Sequence, residues 1–121
     1  MRKITDHVAN PVNDKLTISV TDEPGPGGAN HAYLIECDEG SADVRTKINF
    51  QKGPINEAGI NGLTQEVLLA VVIDRLRCFQ AGPFACGENA TALMYASAAL
   101  DALKSRTKAR MARGVEGRNV A

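Results

Sequence analysis

Two helix-forming segments separated by Gly82 and Pro83 constrain the fold of this chain more than any other feature. Thr64 can cap a first helix over residues 64–80, and the second segment, rich in Ala and Leu, covers residues 86–113. Because Gly followed by Pro ends a helix, the second segment is expected to turn back onto the first. The sequence therefore predicts an antiparallel helical hairpin.

The hairpin has more apolar residues than the packing of its two helices against each other would bury. A seam at alternating spacings of three and four on the second helix should face the first helix, and it consists of Leu93, Ala96, Leu100 and Leu103. The first helix is apolar on every side between Val67 and Ile73. With no Trp, two Tyr and three Phe, the chain has few large residues to cover it. We expect a second copy to complete this core.

The first fifty residues have the alternating pattern of short strands. Three strands are predicted over residues 15–20, 31–36 and 46–51, and Ile4 is expected to start a fourth. The predicted inward-facing residues are Leu16, Ile18, Val20, Ile48 and Phe50. The predicted fold class is α+β, with a small N-terminal antiparallel β-sheet followed by a long C-terminal antiparallel α-helical hairpin.

One domain is expected over residues 1–121. Its predicted parts are a β-sheet part (1–52), a connecting loop (53–63), the helical hairpin (64–113) and a C-terminal tail (114–121). The glycine-rich segment 22–30 feeds a strand and not a helix, so it is interpreted as a hairpin connection and not as a phosphate loop. The acidic segment 36–43 lacks the spacing of a calcium loop and is expected to be a solvated turn.

Charge and cysteine content argue against a protein that coats nucleic acid and against a metal or disulfide site. The formal net charge is zero, but residues 101–121 carry six Lys or Arg against Asp101 and Glu116, a local charge of +4. This balance favours one compact anion site over a surface that coats nucleic acid. The three cysteines form no C-x-x-C pair, and no metal-ligating cluster or activated nucleophile is recognisable. We expect a cytosolic, soluble protein without cofactor, metal or enzymatic activity.

Three arginines near the end of the second helix are the first candidate ligand-binding residues. Arg106, Arg110 and Arg113 stand at i, i+4 and i+7, a spacing that places their side chains on one helical stripe. Several guanidinium groups on one stripe can converge on a phosphate-bearing ligand. Alternatively, these residues only complement the helix dipole.

Phe79 and Asn89, on either side of the helix break, could contact the base of such a ligand. Phe79 offers a ring for stacking, or alternatively fills the core under the turn. Asn89 offers an amide for a base edge or ribose, or alternatively caps the second helix. The arginines lie roughly 25 to 30 Å farther along that helix, so a single ligand would need a second, antiparallel copy of the chain.

Four runs of the chain resemble the phage Thoeris anti-defense family of the first type. They are FQAGPFACGENA at 79–90, RTKARMARGVEG at 106–117, FQKGPI at 50–55 and IDRL at 73–76. The resemblance extends over roughly residues 15–117. That family shares its helical hairpin with the phage anti-CBASS sponges of the second type. The resemblance implies dimers that can join into hexamers, as trimers of dimers.

The resemblance also implies a function in the cytoplasm of the bacterial host. Such proteins sequester, without cleaving it, glycocyclic ADP-ribose made by TIR-domain enzymes, and some members bind cyclic oligonucleotides at separate sites. The family's stacking aromatic falls on Phe79, its polar contact on Asn89, and its diphosphate-binding arginines on Arg106 and Arg110, with Arg113 adjacent. Gly87 departs from the Arg that relatives often carry there, which puts the cyclic-oligonucleotide site in doubt.

Other functions remain open at this stage, including an enzyme that cleaves the signal, for which no metal site or acid–base pair is recognisable, and a purely structural oligomer. The protein could instead be a sponge for the cyclic di- or trinucleotides of CBASS defense. It could also be a small nucleic-acid-binding protein that uses the same basic helix end on backbone phosphates, with affinity that falls steeply with salt.

Overall fold

The computed structural model describes residues 1–40 and 42–116. The chain divides into two compact units, one formed by Met1–Gly53 and Ala58–Leu63, the other by Pro54–Glu57 and the residues from Thr64 onward. The strands are β1 (Arg2–Ile4), β2 (Leu16–Val20), β3 (Ala32–Cys37) and β4 (Thr46–Asn49), and the helices are α1 (Pro11–Asp14), α2 (Ile55–Ala58), α3 (Gln65–Gln80) and α4 (Gly87–Ala112). The predicted α+β class is confirmed.

The first unit is built on a four-stranded antiparallel sheet. Its strands follow the chain order β1-β2-β3-β4, so each strand pairs with the next along the sequence. All three strands predicted between residues 15 and 51 are present. The strand predicted to start at Ile4 exists as well, but it ends at that residue.

Alternation along β2 was only partly predictive of burial. Val20 is 2% exposed, as its inward-facing position predicted, but Ser19 on the opposite face is equally buried. The reason lies in the flanking strands, since Ser19 stands opposite Lys3 on β1 and Leu34 on β3. The Nζ of Lys3 donates a hydrogen bond of 2.8 Å to the Ser19 hydroxyl, which satisfies that buried group.

The connection between β2 and β3 is the glycine-rich segment, as predicted. It contains a short 3-10 turn, Pro26–Gly28, and leads into β3. The carboxylate of Asp22 accepts the backbone N–H of His31 at 3.0 Å. Partial burial acts to raise the pKa of Asp22, but hydrogen bonds from the backbone of His31 and Ala32 and from the Asn30 side chain outweigh it, so the pKa lies below its ordinary value.

This shift makes stability depend on pH in a defined direction. Because the pKa of Asp22 is lower in the folded state, its carboxylate stabilises the fold above about pH 4, and this contribution is lost as pH falls through the folded pKa. We expect Asp22→Asn to be less stable than wild type at neutral pH and to lose less stability on acidification. Urea denaturation at several pH values measures this.

Asp43→Asn is the control, because Asp43 is exposed and the described residues give its carboxylate no hydrogen bond or ion pair. It should follow the wild-type pH profile. An Asp22→Asn profile parallel to wild type would show that Asp22 is not a source of the acid sensitivity.

The loop after β4, residues 50–63, folds back so that its last residue pairs with its first. Phe50 forms a parallel bridge with Leu63, and the N–H of Leu63 donates to the carbonyl of Asn49 at 2.8 Å. The one-turn helix α2 within this loop was not predicted. Gly62 is pressed against the backbone here, since a Cβ at this position would lie 2.5 Å from the carbonyl carbon of Phe50. Only glycine fits this approach.

The second unit contains the predicted helical hairpin. Thr64 caps α3 by accepting the backbone N–H of Val67 at 3.2 Å, as predicted. The helix bounds fall within one residue of those expected. The four seam residues of α4 (Leu93, Ala96, Leu100 and Leu103) are half-buried, whereas Met94 and Tyr95 between them are exposed, which confirms the seam.

Much of the apolar surface of α3 stays uncovered in one chain. Ile73 is 3% exposed, but Val67, Val71 and Val72 are exposed. These valines were expected to be covered by the hairpin partner together with the sheet or a second subunit. Within the described part of the chain, neither long helix contains an apolar stretch sufficient to cross a membrane.

Candidate ligand-binding site

A cavity of about 440 Å³ lies at the turn end of the hairpin. It is lined by the last turns of α3, the connecting turn and the first turn of α4, through Val72, Arg75, Leu76, Phe79, Phe84 and Asn89. The structure thus brings two of the predicted site residues, Phe79 and Asn89, to one cavity. Its volume falls within the range of about 300 to 1,000 Å³ typical of small-molecule sites.

The first turn of α4 leaves the Asn89 side chain available to this cavity. Cys86 is the N-cap, and its thiol accepts the backbone N–H of Asn89 at 3.4 Å. The alternative interpretation of Asn89 as the helix cap is therefore wrong, because Asn89 lies inside the first turn. Among the described residues, its side-chain amide has no hydrogen-bond partner, so both its donor and acceptor groups are open to a ligand.

The Phe79 ring is half-buried at this cavity and carries a cation on one face. The guanidinium carbon of Arg75 lies 5.0 Å from the ring centroid. Arg75 was not among the predicted site residues. The signal was present, because residues at i and i+4 of a helix are neighbours on one face. Phe84, which is 72% exposed, adds a second aromatic ring to the lining.

The three predicted arginines lie at the other end of α4. Asn89 and Arg106 are 17 positions apart, which corresponds to roughly 26 Å along a helix. Arg106 is exposed within α4, and Arg113 is exposed at the C-cap. One chain therefore does not bring the arginines to the cavity that Phe79 and Asn89 line.

Arg110 differs from its two neighbours in being 8% exposed. Its Nε donates to the carboxylate of Glu116 at 2.9 Å, and an Nη donates to the carbonyl of Val115 at 3.0 Å. The residues just after α4 thus fold back on the helix and hold this guanidinium in place. This pairing was not predicted, because residues 114–121 were expected to form only a tail. The end of that tail, residues 117–121, lies outside the described residues.

Gly87 begins α4, and a Cβ at this position would meet no atom within 4 Å. A side chain larger than glycine therefore has room to begin at this position. Among the described residues, no group of three His, Cys, Asp or Glu is placed to hold a metal ion.

Comparison with known proteins assigns the hairpin. Residues 42–107 match the family model described as Acb2/Tad1, hairpin domain. The chain belongs to the Acb2/Tad1 hairpin family. The matched segment contains α3, the turn and most of α4, and it includes Phe79, Asn89 and Arg106. The resemblance found in the sequence is thereby confirmed.

This chain is also similar to a protein named "Thoeris anti-defense 1" from Bacillus phage SBSphiJ7. It is 50% identical to this chain over 70 residues, which is 58% of this chain and 49% of the relative. The aligned part thus spans about half the length of that protein.

Proposed function

We propose that this protein is a phage immune-evasion protein that blocks Thoeris defense by binding glycocyclic ADP-ribose without cleaving it. Membership of the Acb2/Tad1 hairpin family and the similarity to a Thoeris anti-defense protein support this proposal. The observation that carries it is the cavity at the hairpin turn, since its lining residues lie within the matched segment 42–107. The action would take place in the cytoplasm of the bacterial host, where the signal is made.

Each candidate residue has a role that suits a nucleotide. The ring of Phe79 would stack on the adenine base, and the open amide of Asn89 would contact the base edge or ribose. The diphosphate would be bound by Arg106 and Arg110, with Arg113 beside them. Sequestration at nanomolar concentrations needs a binding free energy of about −12 kcal/mol. Each charged hydrogen bond contributes about 1.5 to 3 kcal/mol of this.

A complete site requires two copies of the chain. In one chain the cavity and the arginines are separated by most of α4, roughly 26 Å. A second copy packed antiparallel would bring its arginines next to the Phe79 cavity of the first. The exposed valines of α3 and the exposed Met94 and Tyr95 of α4 offer apolar surface for such packing. We propose a dimer, with hexamers formed as trimers of dimers.

Calorimetric titration with purified glycocyclic ADP-ribose tests the proposal. We expect tight binding, followed by recovery of intact ligand when the protein is denatured by heat and the released material is separated by chromatography. Recovery of an altered ligand would instead identify an enzyme. Failure to bind would contradict the proposal, and cyclic di- and trinucleotides and duplex DNA would then be titrated to test the remaining classes.

A further inference from the structure

Arg75 lies at the candidate site, next to the predicted stacking residue Phe79. It sits on α3, one turn before Phe79, and lines the same cavity as Phe79 and Asn89. Its guanidinium carbon is 5.0 Å from the centroid of the Phe79 ring, so it occupies one face of that ring. A base could therefore stack on Phe79 only at the other face, unless Arg75 moves away.

Within residues 1–40 and 42–116, the hydrogen-bond donors of Arg75 are unused. The described part of the protein provides no carboxylate within 4.0 Å and no hydrogen bond to its guanidinium. Arg110, in contrast, is held by Glu116 and by the carbonyl of Val115. A guanidinium has five N–H donors in a planar fork that matches a phosphate. At the edge of a largely apolar cavity, such an open fork favours an anionic ligand.

We infer that Arg75 is a specificity-determining residue that contacts a phosphate of the nucleotide whose base stacks on Phe79. This inference rests on the proposed function and goes beyond it. The turn end of one chain then holds a ring, an amide and a cation around a single cavity, which are the groups needed for a base, a ribose and a phosphate. The phosphate would thus be recognised from both sides, by Arg75 and by the distant arginines of a second copy.

A purely structural role for Arg75 makes a different prediction. If the guanidinium only held the Phe79 ring or stabilised α3, its loss would act through stacking or helix stability. Neither effect depends on the charge of the ligand. The salt dependence of affinity therefore separates the two roles, because loss of an attraction between Arg75 and a phosphate makes the affinity less sensitive to salt, whereas loss of a ring contact does not. The control variant measures how much of this change any single exposed charge would cause.

The experiment compares three variants with wild type by titration of glycocyclic ADP-ribose at low and high sodium chloride. Arg75→Gln removes the charge, and Arg75→Lys keeps the charge but not the planar fork. Arg77→Gln is the matched control, since Arg77 is exposed on the same helix and does not line the cavity. Thermal melts followed by circular dichroism report whether each variant is folded.

We expect Arg75→Gln to weaken binding roughly 10- to 100-fold and to make the affinity less sensitive to salt. Arg75→Lys should fall between Arg75→Gln and wild type. Arg77→Gln should stay within about threefold of wild type. The melting temperatures of all variants should lie close together.

Three results would overturn the inference. The first is equal loss in Arg75→Gln and Arg77→Gln, which would indicate only a general effect of net charge. The second is a loss in Arg75→Gln with unchanged salt dependence, which would assign Arg75 to positioning the ring. The third is wild-type affinity in Arg75→Gln, which leaves the proposed function intact. Absence of binding by wild type would contradict the proposed function itself, and this inference with it.

Discussion

Replacing Arg106 with alanine is expected to weaken binding of glycocyclic ADP-ribose by about a hundredfold or more. Arg106 is exposed near the end of α4 and lies within the segment that matches the family. A bidentate contact with a phosphate consists of two charge-assisted hydrogen bonds, each contributing about 1.5 to 3 kcal/mol. Their loss exceeds the effect of removing a single exposed charge. Calorimetric titration of the variant measures it.

Lys108→Ala is the control for this prediction. Lys108 is exposed on the same helix, two positions farther on, and its replacement removes the same charge. It should bind almost as tightly as wild type. Size-exclusion chromatography should show both variants in the wild-type oligomeric state. Wild-type affinity in Arg106→Ala would remove Arg106 from the site, and equal losses in both variants would point to long-range attraction only.

Arg110→Ala is expected to abolish tight binding too, but its result is harder to interpret. Arg110 is buried and paired with Glu116, so alanine there would leave that carboxylate without this guanidinium. The end of α4 could then change together with the site. Arg106 is the better first variant, because its exposed side chain can be removed without opening the structure.

Gly62→Ala is expected to destabilise the first unit strongly. The added Cβ would lie 2.5 Å from the carbonyl carbon of Phe50 and 2.6 Å from the carbonyl oxygens of Asn49 and Phe50. These are backbone atoms, and the Asn49 oxygen accepts the N–H of Leu63, so neither segment can move without losing hydrogen bonds. Overpacking of this kind costs about 1 to 3 kcal/mol, occasionally more. Urea denaturation measures the change.

Gly87→Ala is the matched control for Gly62→Ala. A Cβ at Gly87 meets no atom within 4 Å, and its position in the first turn of α4 suits alanine. We expect this variant to be as stable as wild type or more stable, by up to about 1 kcal/mol. Should Gly62→Ala unfold at the same urea concentration as Gly87→Ala, the loop would not be packed against Asn49 and Phe50 as described.

Features set by local sequence were predictable. The break at Gly82 and Pro83, the cap at Thr64 and the four-residue seam of α4 depend on spacing within one helix, and the structure has each of them. The strands were found by alternation for the same reason. Phe79 and Asn89 share a cavity because the predicted turn folds the end of one helix onto the start of the next.

Features that depend on distant parts of the chain were not predictable in this way. Ser19 is buried because of strands on both sides, and Gly62 is needed because the loop returns to Asn49 and Phe50. The cap of α4 is a local feature that was missed for another reason: Cys86 takes the position, although Asn is the more usual capping residue. Arg75 was also missed, although its contact is local because its neighbour Phe79 is only one helical turn away.

The ion pair between Arg110 and Glu116 bears on how the protein would behave among the many anions of a cell. A phosphate that used this guanidinium would compete with the Glu116 carboxylate, which already lies 2.9 Å from the Arg110 Nε. Chloride or inorganic phosphate would gain little binding free energy at Arg110, because its contact would only replace the contact with Glu116. A larger nucleotide, with additional contacts at the base and ribose, could offset the loss of the pair. The Glu116 carboxylate would therefore act as an internal competitor for Arg110, which favours ligands that make several contacts at once.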